Sequence, residues 1–123
     1  MKRDHVERNP RLYVTEIIES IEKIETYTKG LTRETFINDQ LKIDAVDANL
    51  RNIGEAVRVL SKHSRIKSKF YYYHIPYKFL SELRSELTHE YFGSDPNAMW
   101  NMAVNILPNL KPQFRKILEE FDN

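Results

Sequence analysis

Apolar residues recur along this chain at helical spacing, and the longest regular series defines its centre. Ile43, Val46, Leu50, Ile53, Val57 and Leu60 alternate steps of three and four residues, which places them on one face of a long helix packed along its length. An earlier helix is predicted from Asn9-Pro10, a cap followed by proline, to Lys29-Gly30, with Leu12, Ile17, Ile21, Ile24 and Tyr27 as its apolar positions. Between the two, Thr32 caps a short turn, TRETFI, whose Phe36 and Ile37 are expected to tuck onto the core before Asn38-Asp39 restarts the chain.

The second half is less regular. SRIKSKFYYYHIP keeps no steady period and reads as the longest loop. Pro76 is then expected to open a third long helix with Phe79, Leu80, Leu83 and Leu87 facing inward, stopped by Gly93. Asp95-Pro96 starts a last helix carrying Met99, Trp100, Ala103 and Leu107, which Pro108 and Pro112 bend or restart before Leu110, Phe114, Ile117 and Leu118. No segment alternates as a strand does between hairpin turns. The prediction is an all-α antiparallel bundle of four to five helices.

Composition adds bounds. A chain of 123 residues fits a single domain over 1–123, with 41% hydrophobic and 30% charged residues as in a soluble protein. No apolar run approaches the roughly 18 residues of a membrane span, and MKRDHVERNP is no signal peptide. The absence of cysteine fits a reducing cytoplasm and excludes disulfides. His5, His63, His74 and His89 lack metal-ligand spacing, so neither a metal nor another cofactor is expected. Gly54, inside the central helix, costs about 1 kcal/mol relative to alanine and marks a possible close contact.

Two clusters carry candidate chemistry. In RSELTHEY, residues 84 to 91, Arg84 offers a permanent forked donor for phosphate oxygens, and His89 is of the type that moves protons near neutral pH. At about 100° per residue, Arg84 and Tyr91 nearly eclipse one another while His89 points elsewhere, so a straight helix in one chain does not converge all three. The plainer alternative pairs Arg84 with Glu82, Glu86 or Glu90 and leaves Tyr91 as packing. The second cluster joins Arg58, Lys62, Arg65, Lys67 and Lys69 to Phe70, Tyr71, Tyr72 and Tyr73. Cations beside aromatics suit a single-stranded nucleic acid, with Arg65, Lys67, Lys69 and Tyr72 as binding candidates; the alternative is a basic helix end and a covered core edge.

RSELTHEY resembles the Arg-x4-His-x-Tyr signature of HEPN domains of the HepT-like toxin subfamily, and NIGEAVRVL, IPYKFLSELR and DPNAMWNMAVNILPNLKPQFRKIL are similar to its flanking segments. The resemblance spans roughly residues 10 to 120 and implies a homodimer with two motif helices in one cleft. It implies a metal-independent endoribonuclease acting on tRNA or mRNA, with Arg84 and His89 catalytic, the toxin of a toxin-antitoxin pair. The implied partner is a minimal nucleotidyltransferase antitoxin that adenylylates Tyr91. Where the family commonly has Asn or Asp after the arginine, this chain has Ser85, which still offers a hydroxyl. The alternative function is an inactive module that binds nucleotide or RNA and assists the nucleotidyltransferase.

Overall fold

A computed structural model describes residues 9–84 and 95–122, and all regular structure among them is helical. Helix α1 (Pro10–Thr28) begins where Asn9 accepts a hydrogen bond from the backbone N–H of Arg11 at 2.9 Å, with Pro10 in the first turn. Beyond its end, Gly30 takes φ 79°, a conformation that favours glycine. Thr32 and Thr35 form a reciprocal capping box that fixes α2 (Arg33–Ile37) and seats Phe36 fully in the core.

Asp39 then caps α3 (Gln40–Leu60), and every residue of its expected apolar face is buried, from Ile43 to Leu60. This helix is the spine of the molecule. Helix α1 packs on it and also meets the last helix, and the segment around residues 77–84 packs on it as well. Each fully buried Ile, Leu or Phe contributes about 1.5–3 kcal/mol through lost apolar exposure. That gain holds α1, α3 and the last helix together through Ile17, Ile21, Leu50, Ile53 and Phe114. Leu12 is 47% exposed, off the stripe Tyr13, Val14, Ile17, Ile18, Ile21 and Ile24 that α1 buries.

The expected loop over 64–76 is instead a helix for most of its length, α4 (Ser64–Tyr72). Its buried face is only two residues, Ile66 and Phe70, four apart. Tyr71 and Tyr72, apolar enough to blur that pattern, stand 80% and 74% exposed. The helix closes in a Schellman motif: Ile75 N–H donates to the Phe70 carbonyl at 2.8 Å and His74 N–H to that of Tyr71 at 3.1 Å. Ile75 and Phe70 are both buried, supplying the motif's apolar contact, while His74 takes φ 59°, where glycine is usual.

The third long helix also differs from expectation within the described residues. After Pro76 the chain forms α5 (Tyr77–Ser81) and then tightens into a 3₁₀ turn, Glu82–Arg84. Leu80 and Leu83 are buried as expected, but Phe79 is 38% exposed. Leu87 and Gly93 lie outside the described residues.

Asp95 caps α6 (Pro96–Asn101), and the helix continues through a π-helical segment, Met102–Ile106, into α7 (Leu107–Glu120). In the π segment Leu107 N–H reaches back five residues to Met102. Pro108 has no N–H to give the carbonyl four residues before it, and widening the turn by one residue accommodates that missing donor. Pro112 sits inside α7 without ending it, so the two prolines alter the hydrogen bonding of one rod rather than splitting it. Among the described residues no helix is long and apolar enough to cross a membrane.

Candidate functional site

Arg84 is placed by backbone packing. A Cβ added to Gly54 would stand 2.5 Å from the Arg84 backbone nitrogen, 3.0 Å from the Leu80 carbonyl oxygen and 3.0 Å from the Leu83 carbonyl carbon. The main chain of the 3₁₀ turn therefore lies directly on the bare backbone of α3. Leu80 and Leu83, both 0% exposed, pin it there from the core side. The close contact expected at Gly54 is real, and its partner is the arginine that opens RSELTHEY.

With its main chain fixed, the Arg84 side chain is exposed, and among the described residues it makes no hydrogen bond or ion pair, Glu82 included. Other cations differ: the partly buried Arg58 grips Glu55 through two hydrogen bonds at 2.7 and 3.1 Å, and the exposed Arg115 holds Glu22 at 2.6 Å. A solvated guanidinium carried on a fixed main chain is suited to receiving a phosphate. Ser85, His89 and Tyr91 lie outside the described residues.

The basic-aromatic cluster divides around α4. On one edge Arg65, Ser68, Lys69, Tyr72 and Tyr73 line a groove closed by Glu120 from the end of α7. Here Lys69 is ion-paired to Glu120, and the Tyr73 hydroxyl donates to the other oxygen of the same carboxylate. The Lys69 ammonium, followed by the Tyr73 hydroxyl, holds the Glu120 carboxyl below its ordinary range. In turn, the hydrogen bond to Glu120, helped by desolvation and the carboxylate's charge, pushes the Tyr73 phenol up to about 12. Lys116 sits 5.9 Å over the Tyr73 ring, and Tyr72 meets that ring edge-on at 5.0 Å. This edge fastens α4 to α7.

On the other edge, Ser64, Lys67, Ser68, Tyr71 and Tyr77 line a second groove. Lys67 has no carboxylate partner among the described residues; its Nζ lies 5.9 Å from the Tyr77 ring centroid. Of the four candidates on α4, Arg65 and Tyr72 are thus exposed on the fastened edge, Lys69 is engaged there, and Lys67 faces the open one. Reading the sequence missed Ser64, Ser68 and Tyr77 altogether. A helical period applied to residues 64–72 would have grouped Ser64, Lys67, Ser68 and Tyr71, whereas Tyr77 joins them only through the turn at His74.

Comparison with known proteins places the chain among ribonucleases of all-α fold. More narrowly, it belongs to the HepT-like ribonuclease family, whose model, described as "Ribonuclease HepT-like", matches residues 17–117. It is 34% identical over 117 residues to "Probable ribonuclease HepT" of Thermococcus cleftensis, covering 95% of this chain and 98% of the relative. It is 36% identical over 115 residues to "Putative RNase MJ1216" of Methanocaldococcus jannaschii, covering 94% and 92%. A third relative, "Gamma-glutamylcyclotransferase and putative RNase MJ0434" of the same organism, is 38% identical over 94% of this chain, which spans only 50% of that longer protein. No solved structure matches the chain.

Proposed function

We propose that this protein is a metal-independent endoribonuclease, the toxin of a toxin-antitoxin pair, whose reaction is carried by Arg84 and His89. The observation that supports it most is Arg84 itself: locked by its main chain to Gly54, exposed, and without a carboxylate among the described residues, in a member of the HepT-like ribonuclease family. Phosphodiester cleavage needs a base to take the proton from the ribose 2′-hydroxyl, whose oxygen then attacks phosphorus. It also needs a cation for the charge that grows on the non-bridging oxygens, and an acid to protonate the departing 5′-oxygen. His89 serves the proton transfers and Arg84 the charge. The products are a 2′,3′-cyclic phosphate and a free 5′-hydroxyl.

The site is completed between two copies of the chain, which supplies from the second copy what one helix cannot converge. Ser85 stands beside the arginine as a supporting hydroxyl. Tyr91 is the control point: a nucleotidyltransferase antitoxin transfers the adenylyl group of ATP to its phenol oxygen, which gives up its proton as pyrophosphate leaves, and the added phosphate repels RNA from Arg84's cleft. The setting is the cytoplasm, and the substrate is tRNA or mRNA.

The test is incubation of purified protein with total RNA. Fragments bearing 2′,3′-cyclic phosphate are expected from the parent and are lost with Arg84→Ala or His89→Ala. Equal cleavage by parent and both variants would refute the catalytic assignment. In the cell, expression without the antitoxin is expected to arrest growth, and either substitution to relieve the arrest.

A further inference from the structure

The open groove on α4 has features the core does not require. Tyr71 is 80% exposed, although the neighbouring Phe70 already anchors the helix. Tyr77 is half-buried, its ring held nearly parallel to that of Phe70 at 5.9 Å with a 26° interplanar angle. Lys67 lies over that ring without a carboxylate among the described residues, whereas the similarly placed Lys69 on the opposite edge is neutralised by Glu120. Ser64 and Ser68 add hydroxyls to the same face, and the first turn of α4 has no side-chain cap, His63 making no capping bond. The groove measures about 440 Å³, within the range of clefts that admit a small ligand group.

Its position matters as much as its chemistry. Tyr77 opens α5, which runs into the turn ending at Arg84. At about 1.5–2.0 Å per residue the groove's inner wall stands roughly 10–12 Å from Arg84 along the chain, a few nucleotides' length.

We infer that the groove of Ser64, Lys67, Ser68, Tyr71 and Tyr77 is a subsite for single-stranded RNA, in which Tyr71 stacks on an unpaired base and Lys67 meets a phosphate. The inference rests on the ribonuclease reading of Arg84 and names the form of its substrate. A duplex keeps its base faces stacked inside, so an outward tyrosine ring selects strands whose bases are free. Stacking tolerates any base, so the groove sets strand form and position more than sequence.

Binding of a labelled single-stranded RNA is measured by fluorescence anisotropy in the full chain carrying His89→Ala, which spares the probe. Tyr71→Ala is expected to weaken binding about tenfold, while Tyr71→Phe retains most of it. Lys67→Gln is expected to weaken binding and to lower the salt slope by about one. Lys23→Gln, exposed on α1, is expected to change affinity less than twofold. Single-stranded affinities for Tyr71→Ala and Lys67→Gln within twofold of the parent would overturn the subsite, whatever those variants do to a protein partner. The two readings fail separately. A parent that cleaves no RNA while Tyr71→Ala loses binding removes the ribonuclease reading and keeps the subsite. Cleavage by Tyr71→Ala with unchanged KM removes the subsite and keeps the ribonuclease.

Discussion

At Gly54 there is no room for one more carbon, because the Arg84 backbone nitrogen occupies the place where it would go. Gly54→Ala gains about 1 kcal/mol in helix propensity but forces main chain away from main chain, and neither side is a flexible group that can turn aside. A net loss of about 1–3 kcal/mol is expected, read as a lower urea midpoint, together with reduced RNA cleavage as the Arg84 turn is displaced. A stability gain with full cleavage would show that the contact does not position Arg84. The opposite case is His74, which holds φ 59° where the Schellman turn favours glycine. Here His74→Gly is expected to stabilise the fold by about 0.5–1 kcal/mol, checked by the same titration.

How far residues could be read from the sequence follows from how local their causes are. Asn9, Thr32, Asp39 and Asp95 act on backbone groups two or three positions away, and each caps the helix its spacing implied. Gly54 stood out because glycine is costly inside a helix, yet its partner lies thirty residues further along the chain, and only folding reveals it. Lys69 read as a free cation for the same reason: Glu120, which neutralises it, is 51 residues away. Arg84's exposure and its lack of a partner among the described residues were open questions in the sequence, which places Glu82, Glu86 and Glu90 close by along the chain.

At the scale of elements, long helices with repeated apolar steps were legible and short ones were not. α3 shows six buried apolar positions in register, whereas α4 shows two, followed by tyrosines that face water. The Pro108 and Pro112 signals were read as a bend or a restart, but neighbouring hydrogen bonds rearranged into a π segment and the rod continued. α4 rests on the bundle through Ile66, Phe70 and the Glu120 link, so that link should be visible in its stability.

The signs follow from the two shifts. Glu120 is lowered in the folded state, so its contribution is present above the ordinary carboxylate pKa and is lost as pH falls through the lower folded value. Tyr73 is raised from 10.0 to about 12, so its contribution is present below 10.0 and is lost as pH rises through the folded value. Hydrogen-exchange protection in α4, the intrinsic rate divided by the observed rate at the same pH, is therefore expected to be greatest between those limits and to fall at either end. Glu120→Gln should remove the acid-side change, and in absorbance titration it should bring the Tyr73 phenol back toward 10.0. An α4 whose protection ignores both pH and the substitution would mean that Glu120 does not fasten it.

For the whole molecule, α3 serves two purposes: it carries the core against α1, and at Gly54 it receives the turn that displays Arg84. The bundle gives the arginine a rigid floor, and α4 beside it offers a groove open to a strand. A composite cleft requires two copies, and the parent is expected to elute at twice its 14.7 kDa chain mass. Elution as a monomer that still cleaves RNA would remove the need for a shared site.

The central claim is that Arg84 and His89 cut RNA by moving the 2′-hydroxyl proton and steadying phosphate charge. Its most direct test is the rate of cleavage of a single-stranded RNA by the parent, Arg84→Ala and His89→Ala at matched concentration, with the fragment ends identified. The account expects 2′,3′-cyclic phosphate ends from the parent and a loss of at least about a hundredfold in each variant, since proton transfer contributes roughly 10²–10⁴ and stabilisation of the growing charge roughly 10²–10³. Cleavage by both variants at the parent's rate would contradict it.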